Sequence, residues 1–164
     1  MLGRNHVIVG MGLYLAVDMA LGPGWPAPLV NCLGVAALAS LAPDLYTPKS
    51  SLGRRIWPVS WTVSSLIGHR GFTHSMAACM LVALGLAVAS QCYPGWLGYY
   101  AAFEIGYLSH VLADWVTTEG VPLFWPNRKR YRSPLRFRTG GPGEFLFSLV
   151  AGSFLVIWLY RIFI

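Results

Sequence analysis

Few side chains in this sequence can do chemistry, and two of them have a spacing that suits a metal site. The chain has 164 residues, of which only four are His and six are Asp or Glu. His110 and Asp114 lie four positions apart in an apolar stretch, so a helix would place both on one face. Such a pair can bind one metal ion from a rigid backbone, and a hydrogen-bonded structural pair is the alternative.

The segment HRGFTHS supplies two more histidines, His69 and His74, with Gly71 between them. Their spacing predicts a turn followed by the start of a helix, rather than one helix face. Imidazole and carboxylate ligands suit zinc first, with manganese or iron as alternatives. The candidate metal ligands are His6, Asp44, His69, His74, His110, Asp114 and Glu144. Seven ligands leave room for one or two ions, which would activate water and polarise a phosphoryl oxygen.

The composition indicates where such a site would lie. The chain is 55% hydrophobic and only 11% charged, against about 25% charged residues in an ordinary soluble domain. We therefore expect an all-α, polytopic membrane protein that forms a single domain over residues 1–164. A disordered chain, a secreted disulfide scaffold and an ordinary cytosolic enzyme are disfavoured. The three cysteines form no CxxC motif, and we expect them to be packing residues in helices.

Apolar stretches predict about five membrane helices. They cover residues 7–21, 28–41, 72–90, 96–116 and 144–164. A span needs about 20 residues, so the last three fit and the first two are short. Residues 56–67 are apolar and aromatic but too short to span. We expect an interfacial segment there, with Trp57 and Trp61 at the headgroup level, and a buried loop is the alternative.

The charges predict an orientation. With five crossings, Arg4 and the basic residues of segments 43–71 and 117–143 fall on one side, whereas Arg161 falls on the other. The positive-inside rule places the basic side in the cytoplasm. The candidate ligands lie at the same ends of the predicted helices. A metal site facing the cytoplasm follows from this topology.

The loop WPNRKRYRSPLRFR holds a basic run over residues 128–138. Such a run typically anchors a protein to anionic lipid headgroups, at about 1 kcal/mol per basic residue. A phosphate clamp beside the metal is the sharper interpretation, because arginine grips phosphate oxygens in pairs. Nucleic-acid binding is not favoured, because the loop is tethered between two predicted spans.

Three segments together carry a resemblance: LAPDLYTPKSSLGRR, GHRGFTHS and GYLSHVLADWVTTEGVPLFWP. They resemble the inner-membrane-associated metal-dependent hydrolases of the YdjM type, over nearly all of residues 6–144. The family's motifs match His6, Asp44, His69, Arg70, Thr73, His74, His110, Asp114 and Glu144. The resemblance implies a small polytopic protein of the bacterial inner membrane with a metal site.

One departure from the family pattern removes two possible ligands. Tyr46 and Thr47 stand where the family often has an acid and a histidine, in LPDIDHPKS. More distantly, the order of the candidate ligands is similar to that of the all-helical zinc phospholipase C and nuclease group. That similarity concerns residue order and type alone, so it is an analogy.

The expected function is hydrolysis of a phosphoester in a membrane lipid or a lipid-linked phosphate. An anionic phospholipid is the expected partner. Asp44 or Glu144 would serve as general base, and Arg70 with the basic loop would stabilise charge on the phosphoryl oxygens. The alternative is a non-enzymatic membrane module with a structural metal site, which binds anionic lipid or a protein partner.

Overall fold

The regular structure is helical throughout the residues that the computed structural model describes, 1–22, 27–45 and 71–163. The helices are α1 (Gly3–Leu21), α2 (Leu29–Ala39), α3 (Met76–Cys92), α4 (Leu97–Trp115) and α5 (Pro142–Phe163). Short 3-10 turns cover Ala42–Asp44, Phe72–His74 and Pro94–Trp96. The predicted all-α class is confirmed for this part of the chain. Each predicted apolar stretch corresponds to one of these helices.

Among the described helices, α5 alone is both long and apolar enough to cross a membrane, over Pro142–Arg161. The helices α2 and α3 are apolar but shorter. The third stretch was expected to reach spanning length from residue 72, but α3 begins at Met76 and has 17 residues. Ser75 ends the preceding turn and caps α3 by accepting a hydrogen bond from the Ala78 amide. The five-span topology stays a prediction.

Small residues bring the helix backbones close together. A Cβ added at Gly106 of α4 would lie 2.4 Å from the carbonyl oxygen of Ala36 in α2. One added at Gly10 of α1 would lie 2.7 Å from the Cβ of Ser40. The backbones of α1, α2 and α4 can therefore approach only because these positions carry no side chain.

The connection between α4 and α5 folds back along the end of α4. The Val121 and Tyr131 backbones exchange hydrogen bonds of 3.0 and 2.8 Å, and Phe137 donates its amide to the Val116 carbonyl at 2.8 Å. The amide of Met76 donates to the Leu123 carbonyl at 2.9 Å. The loop thereby holds the start of α3 beside the end of α4, where the candidate ligands lie.

Several predictions concern residues outside the described ranges. They are the interfacial segment at 56–67 with Trp57 and Trp61, the candidate site residues His69 and Arg70, and the departures at Tyr46 and Thr47.

Candidate metal centre

Five of the seven predicted ligands meet at one end of the helices. His6 comes from α1, Asp44 from the turn after α2, His74 from the turn before α3, and His110 and Asp114 from α4. They form two overlapping sets whose possible ligand atoms lie within 4.8 Å of one another. One set is His6, Asp44 and His110, and the other is His74, His110 and Asp114.

A backbone carbonyl orients the ring of His110. Its Nδ1 lies 2.6 Å from the carbonyl oxygen of Ser40. A carbonyl oxygen can only accept, so Nδ1 carries the proton and donates it. In the neutral ring, Nε2 then carries a lone pair. This is the arrangement of a metal-binding histidine whose second nitrogen is held by a hydrogen bond.

The hydroxyl group of Thr73 orients the ring of His74. The Thr73 hydroxyl donates to the Pro43 carbonyl at 3.1 Å, and its oxygen lies 3.1 Å from Nδ1 of His74. Because the hydroxyl proton is already used, the oxygen accepts from Nδ1–H. Nε2 of His74 therefore also carries a lone pair in the neutral ring.

The two lone pairs point at a common position. Nε2 of His74 lies 3.1 Å from Nε2 of His110. Two neutral nitrogens in these tautomers have no proton to share at that distance, so they repel each other unless a cation or an extra proton lies between them. The pair fits a divalent cation.

Two carboxylates surround the same position. Asp44 Oδ1 lies 3.4 Å from Nε2 of His74 and 3.9 Å from Nε2 of His110. Asp114 Oδ2 lies 3.7 and 3.8 Å from these same two atoms. The site therefore offers nitrogen and oxygen donors together, a set that suits zinc, manganese or iron.

His6 lies against this group. Its ring stacks on that of His110, with centroids 3.8 Å apart and planes 10° from parallel. Its Nε2 lies 3.4 Å from Asp114 Oδ1, which also accepts a 2.6 Å hydrogen bond from the Met1 amino group. Among the described residues, neither ring nitrogen of His6 has a hydrogen-bond partner. A bound ion would give these buried ring nitrogens a partner.

Burial makes the cluster costly without a compensating charge. His6, His74, His110 and Asp114 are at most 1% exposed, whereas the Asp44 side chain is 24% exposed. Burial alone would raise the pKa of Asp44, but protons held on the Nε2 atoms of His74 and His110, in the place of a cation, would outweigh it through a hydrogen bond from His74 and positive charge. The net effect lowers the pKa of Asp44 below its ordinary value, so the carboxylate stays ionised, as a metal ligand must.

The family resemblance had included Thr73, but sequence reasoning missed the other groups that orient the histidines. The carbonyls of Ser40 and Pro43 are backbone atoms, so no residue type signals them. The Tyr107 hydroxyl donates to the Thr73 carbonyl at 2.7 Å and thereby holds the turn that carries His74. Tyr107 lies three residues before His110, so a helix places both on one face. That spacing is the one feature of the sequence that could have pointed to Tyr107.

The structure does not bring Glu144 into either ligand set. Its Oε1 accepts hydrogen bonds from the Leu2 amide at 2.8 Å and from Asn5, and its Oε2 accepts one from the Gly140 amide at 2.8 Å. These contacts tie the beginning of α1 to the beginning of α5. The expectation that Glu144 binds metal or acts as general base stays a prediction, and these contacts do not support it.

Other charged groups lie apart from the cluster. Asp18 follows His6 by twelve residues on α1, about 18 Å along the helix axis. Arg128, Lys129 and Arg130 are exposed on the loop between α4 and α5. The Lys129 ammonium lies 5.8 Å from the ring centre of Tyr131. These exposed basic side chains are therefore accessible to a lipid headgroup or a phosphate, as a membrane anchor or a phosphate clamp requires.

Comparison with known proteins shows which family this chain belongs to. All of residues 1–164 match the model of the family described as YdjM inner membrane protein. The chain belongs to the YdjM family. Two relatives, the inner membrane proteins YdjM of Escherichia coli (strain K12) and Shigella flexneri, are each 44% identical over 103 residues. Those matches cover 61% of this chain and 52% of each relative, so the chain spans about half the length of these two curated relatives.

A further relative matches over most of both chains. The uncharacterized protein YvsG of Bacillus subtilis (strain 168) is 32% identical over 144 residues, which cover 88% of this chain and 85% of YvsG. No solved structure matches the chain. The YdjM resemblance is confirmed, and the named relatives support a bacterial inner membrane location. The likeness to zinc phospholipase C stays an analogy.

Proposed function

We propose that this YdjM-family protein is a membrane-embedded, metal-dependent hydrolase that cleaves a phosphoester in a lipid or a lipid-linked substrate. One observation supports it most: the Nε2 lone pairs of His74 and His110 converge at 3.1 Å between two carboxylates. Zinc is the first choice of metal for this donor set, with manganese or iron as alternatives.

The five residues have different tasks in this proposal. His74, His110 and Asp114 form the buried set, and Asp44 closes it from the exposed side. His6 belongs to the other set, with Asp44 and His110. Because His110 has one lone pair to offer, this set is an alternative position for the ion and not a second site. A bound divalent ion supplies Lewis acidity for attack on phosphorus.

Asp44 is the proposed general base. It is the most exposed member of the cluster, so it can meet water and substrate while the histidines stay covered. Arg70 and the exposed basic residues of the α4–α5 loop would bind the phosphoryl oxygens and stabilise their charge.

A lipid substrate follows from the surroundings of the site. The family is one of inner membrane proteins, and α5 can cross a membrane. The ligands lie at the helix ends, on the same side as the basic loop, where a lipid phosphate would lie. The positive-inside rule makes that side cytoplasmic.

The first experiment measures bound metal in the purified full chain. His110→Ala removes the ligand that both sets share, so we expect it to lose most of the bound metal. Asp18→Asn is the matched control, because Asp18 lies about 18 Å away along α1. Equal metal loss in both variants would contradict the proposed site.

The second experiment measures chemistry with metal-loaded protein in vesicles of phosphatidylglycerol or a polyprenyl phosphate. We expect release of phosphate or headgroup, and a fall in kcat of about a hundredfold or more for Asp44→Asn. Asp114→Ala should abolish turnover. If wild type turns over no substrate and Asp114→Ala keeps full biological activity, the non-enzymatic membrane module with a structural metal site replaces the hydrolase.

A further inference from the structure

A groove lies on the other side of α1 from the candidate metal centre. It has a volume of about 910 Å³ and runs between α1 and α5. Arg4, Asn5 and the Gly140–Gly141 backbone line one end of it. Further along α5 the lining becomes apolar, with Leu149 and Val156 among its residues. The groove therefore has one polar end and a long apolar body.

The groove is separate from the proposed hydrolase site. Arg4 and Ile8 line it, and each lies two positions from His6 along α1. At 100° per residue, each of them points about 160° around the helix away from His6. A molecule in the groove would therefore meet the opposite face of α1 from the metal centre, and this inference does not depend on the proposed function.

We propose that the groove binds one anionic phospholipid, with its phosphate at Arg4 and one acyl chain along α5. The part of α5 that lines the groove extends from Phe145 to Ile157. These twelve steps measure about 18 Å along the helix axis. That is close to half of the roughly 30 Å hydrocarbon core, the depth of one leaflet.

The charges at the polar end suit a phosphate. The exposed Arg4 guanidinium can pair with two phosphate oxygens. The backbone of Arg138 lies at the same end, because its carbonyl accepts the Gly141 amide at 2.9 Å. The nearby Glu144 carboxylate is buried and faces inward to the Leu2 and Gly140 amides. The groove therefore presents positive charge to a bound molecule.

The shape favours a lipid chain over a second copy of the protein. Ser148 and Gly152 form a small-residue pair of the kind that packs helices together. However, Phe145, Leu149 and Val156 stand above it, each more than 50% exposed. A partner helix is about 10 Å across with its side chains, whereas an acyl chain is thin enough to lie between these residues.

The test uses native mass spectrometry of the full chain in detergent, with phosphatidylglycerol or phosphatidylcholine of the same acyl chains. We expect one retained lipid per chain and a preference for phosphatidylglycerol. Arg4→Gln should reduce that preference about fivefold. Arg161→Gln, at the other end of α5, should leave it unchanged.

A second pair of variants tests the apolar body of the groove. Val156→Trp should fill it and lower retention of both lipids. Leu146→Trp is the matched control, because Leu146 is 62% exposed and Val156 is 66% exposed, but Leu146 does not line the groove. Equal retention in these two variants would overturn the proposal, as would an unchanged preference in Arg4→Gln. Loss of a dimer in Val156→Trp, with no lipid retained by wild type, would assign the groove to a second copy.

Discussion

At the scale of single residues, hydrogen bonds to oxygen atoms decide which nitrogen of His74 and of His110 faces the candidate metal position. Ser40 supplies a carbonyl to Nδ1 of His110, and Thr73 supplies a hydroxyl oxygen to Nδ1 of His74. Both acceptors leave Nε2 free to bind a cation. The HxxxD spacing predicted that His110 and Asp114 share a helix face, but residue types alone do not reveal which nitrogen is held.

Thr73 offers a test of this positioning role. Thr73→Ala removes the acceptor of His74 Nδ1–H, so the ring can turn or change tautomer. We expect metal affinity to fall about tenfold to a hundredfold, while the chain still folds. Chelator competition on the purified protein measures the change.

Two control variants make the Thr73 result specific. Thr73→Ser keeps the hydroxyl and should retain most of the affinity. Ser90→Ala removes an exposed hydroxyl whose only described partner is the Ala87 carbonyl, and should have no effect. Unchanged affinity in Thr73→Ala would mean that the hydroxyl does not set the tautomer of His74.

Glu144 has hydrogen-bond partners that suit a structural role. Its oxygens accept hydrogen bonds from the Leu2 and Gly140 amides and from Asn5. Glu144→Gln weakens these charged hydrogen bonds, so we expect a loss of about 1–3 kcal/mol in unfolding free energy. Thermal or denaturant unfolding in detergent measures it.

The metal content of the same variant separates the two possible roles. Metal bound per folded Glu144→Gln chain should equal that of wild type, because the side chain belongs to neither ligand set. Loss of metal without loss of stability would restore Glu144 to the ligand pool.

At the scale of helices, close approach of α2 and α4 positions the site. Ala36 contacts Gly106 one helical turn from Ser40 and His110 respectively. A side chain at position 106 would push against the Ala36 backbone. The carbonyl of Ser40 would then move away from the ring of His110.

Gly106→Ala tests this dependence. The added Cβ would lie 2.4 Å from the Ala36 carbonyl oxygen, so we expect a loss of about 1–3 kcal/mol in stability and weaker metal binding. Gly34→Ala is the control, because nothing lies within 4 Å of its added Cβ. That change should be neutral or stabilising by about 0.5–1 kcal/mol. Equal stability of the two variants would contradict the close-packing argument.

The helices were the most predictable part of the fold, because long apolar stretches and their Gly- and Pro-rich connections are local features. The beginning of α3 shifted to Met76, since the Ser75 cap and the turn at Phe72–His74 depend on local hydrogen bonds. The roles of Gly10 and Gly106 were not predictable, because a close approach depends on which helix lies opposite. Residue type and order brought five candidate ligands together correctly as a cluster. The hydrogen-bond partners of Glu144 could not be predicted, because they come from distant segments.

At the scale of the whole molecule, polar chemistry and charge lie at one end. The five clustered candidate ligands come from the beginning of α1, the segments next to α2 and α3, and the C-terminal half of α4. The basic loop follows α4 on the same side. Arg161 lies near the other end of α5, which exposes large apolar residues such as Phe145 and Leu149 along its length.

This asymmetry predicts the topology of the protein in the membrane. An odd number of crossings, with the basic loop held in the cytoplasm by the positive-inside rule, places position 164 in the periplasm. In cells, a reporter fused after Ile164 should therefore give a periplasmic signal, and one inserted beside Arg130 a cytoplasmic signal. Replacing Arg128, Lys129 and Arg130 with Gln should weaken this preference, because the rule depends on basic residues near the ends of spans. If both reporters give signals from the same compartment, α5 does not cross the membrane. The metal centre would then need a different placement relative to the bilayer.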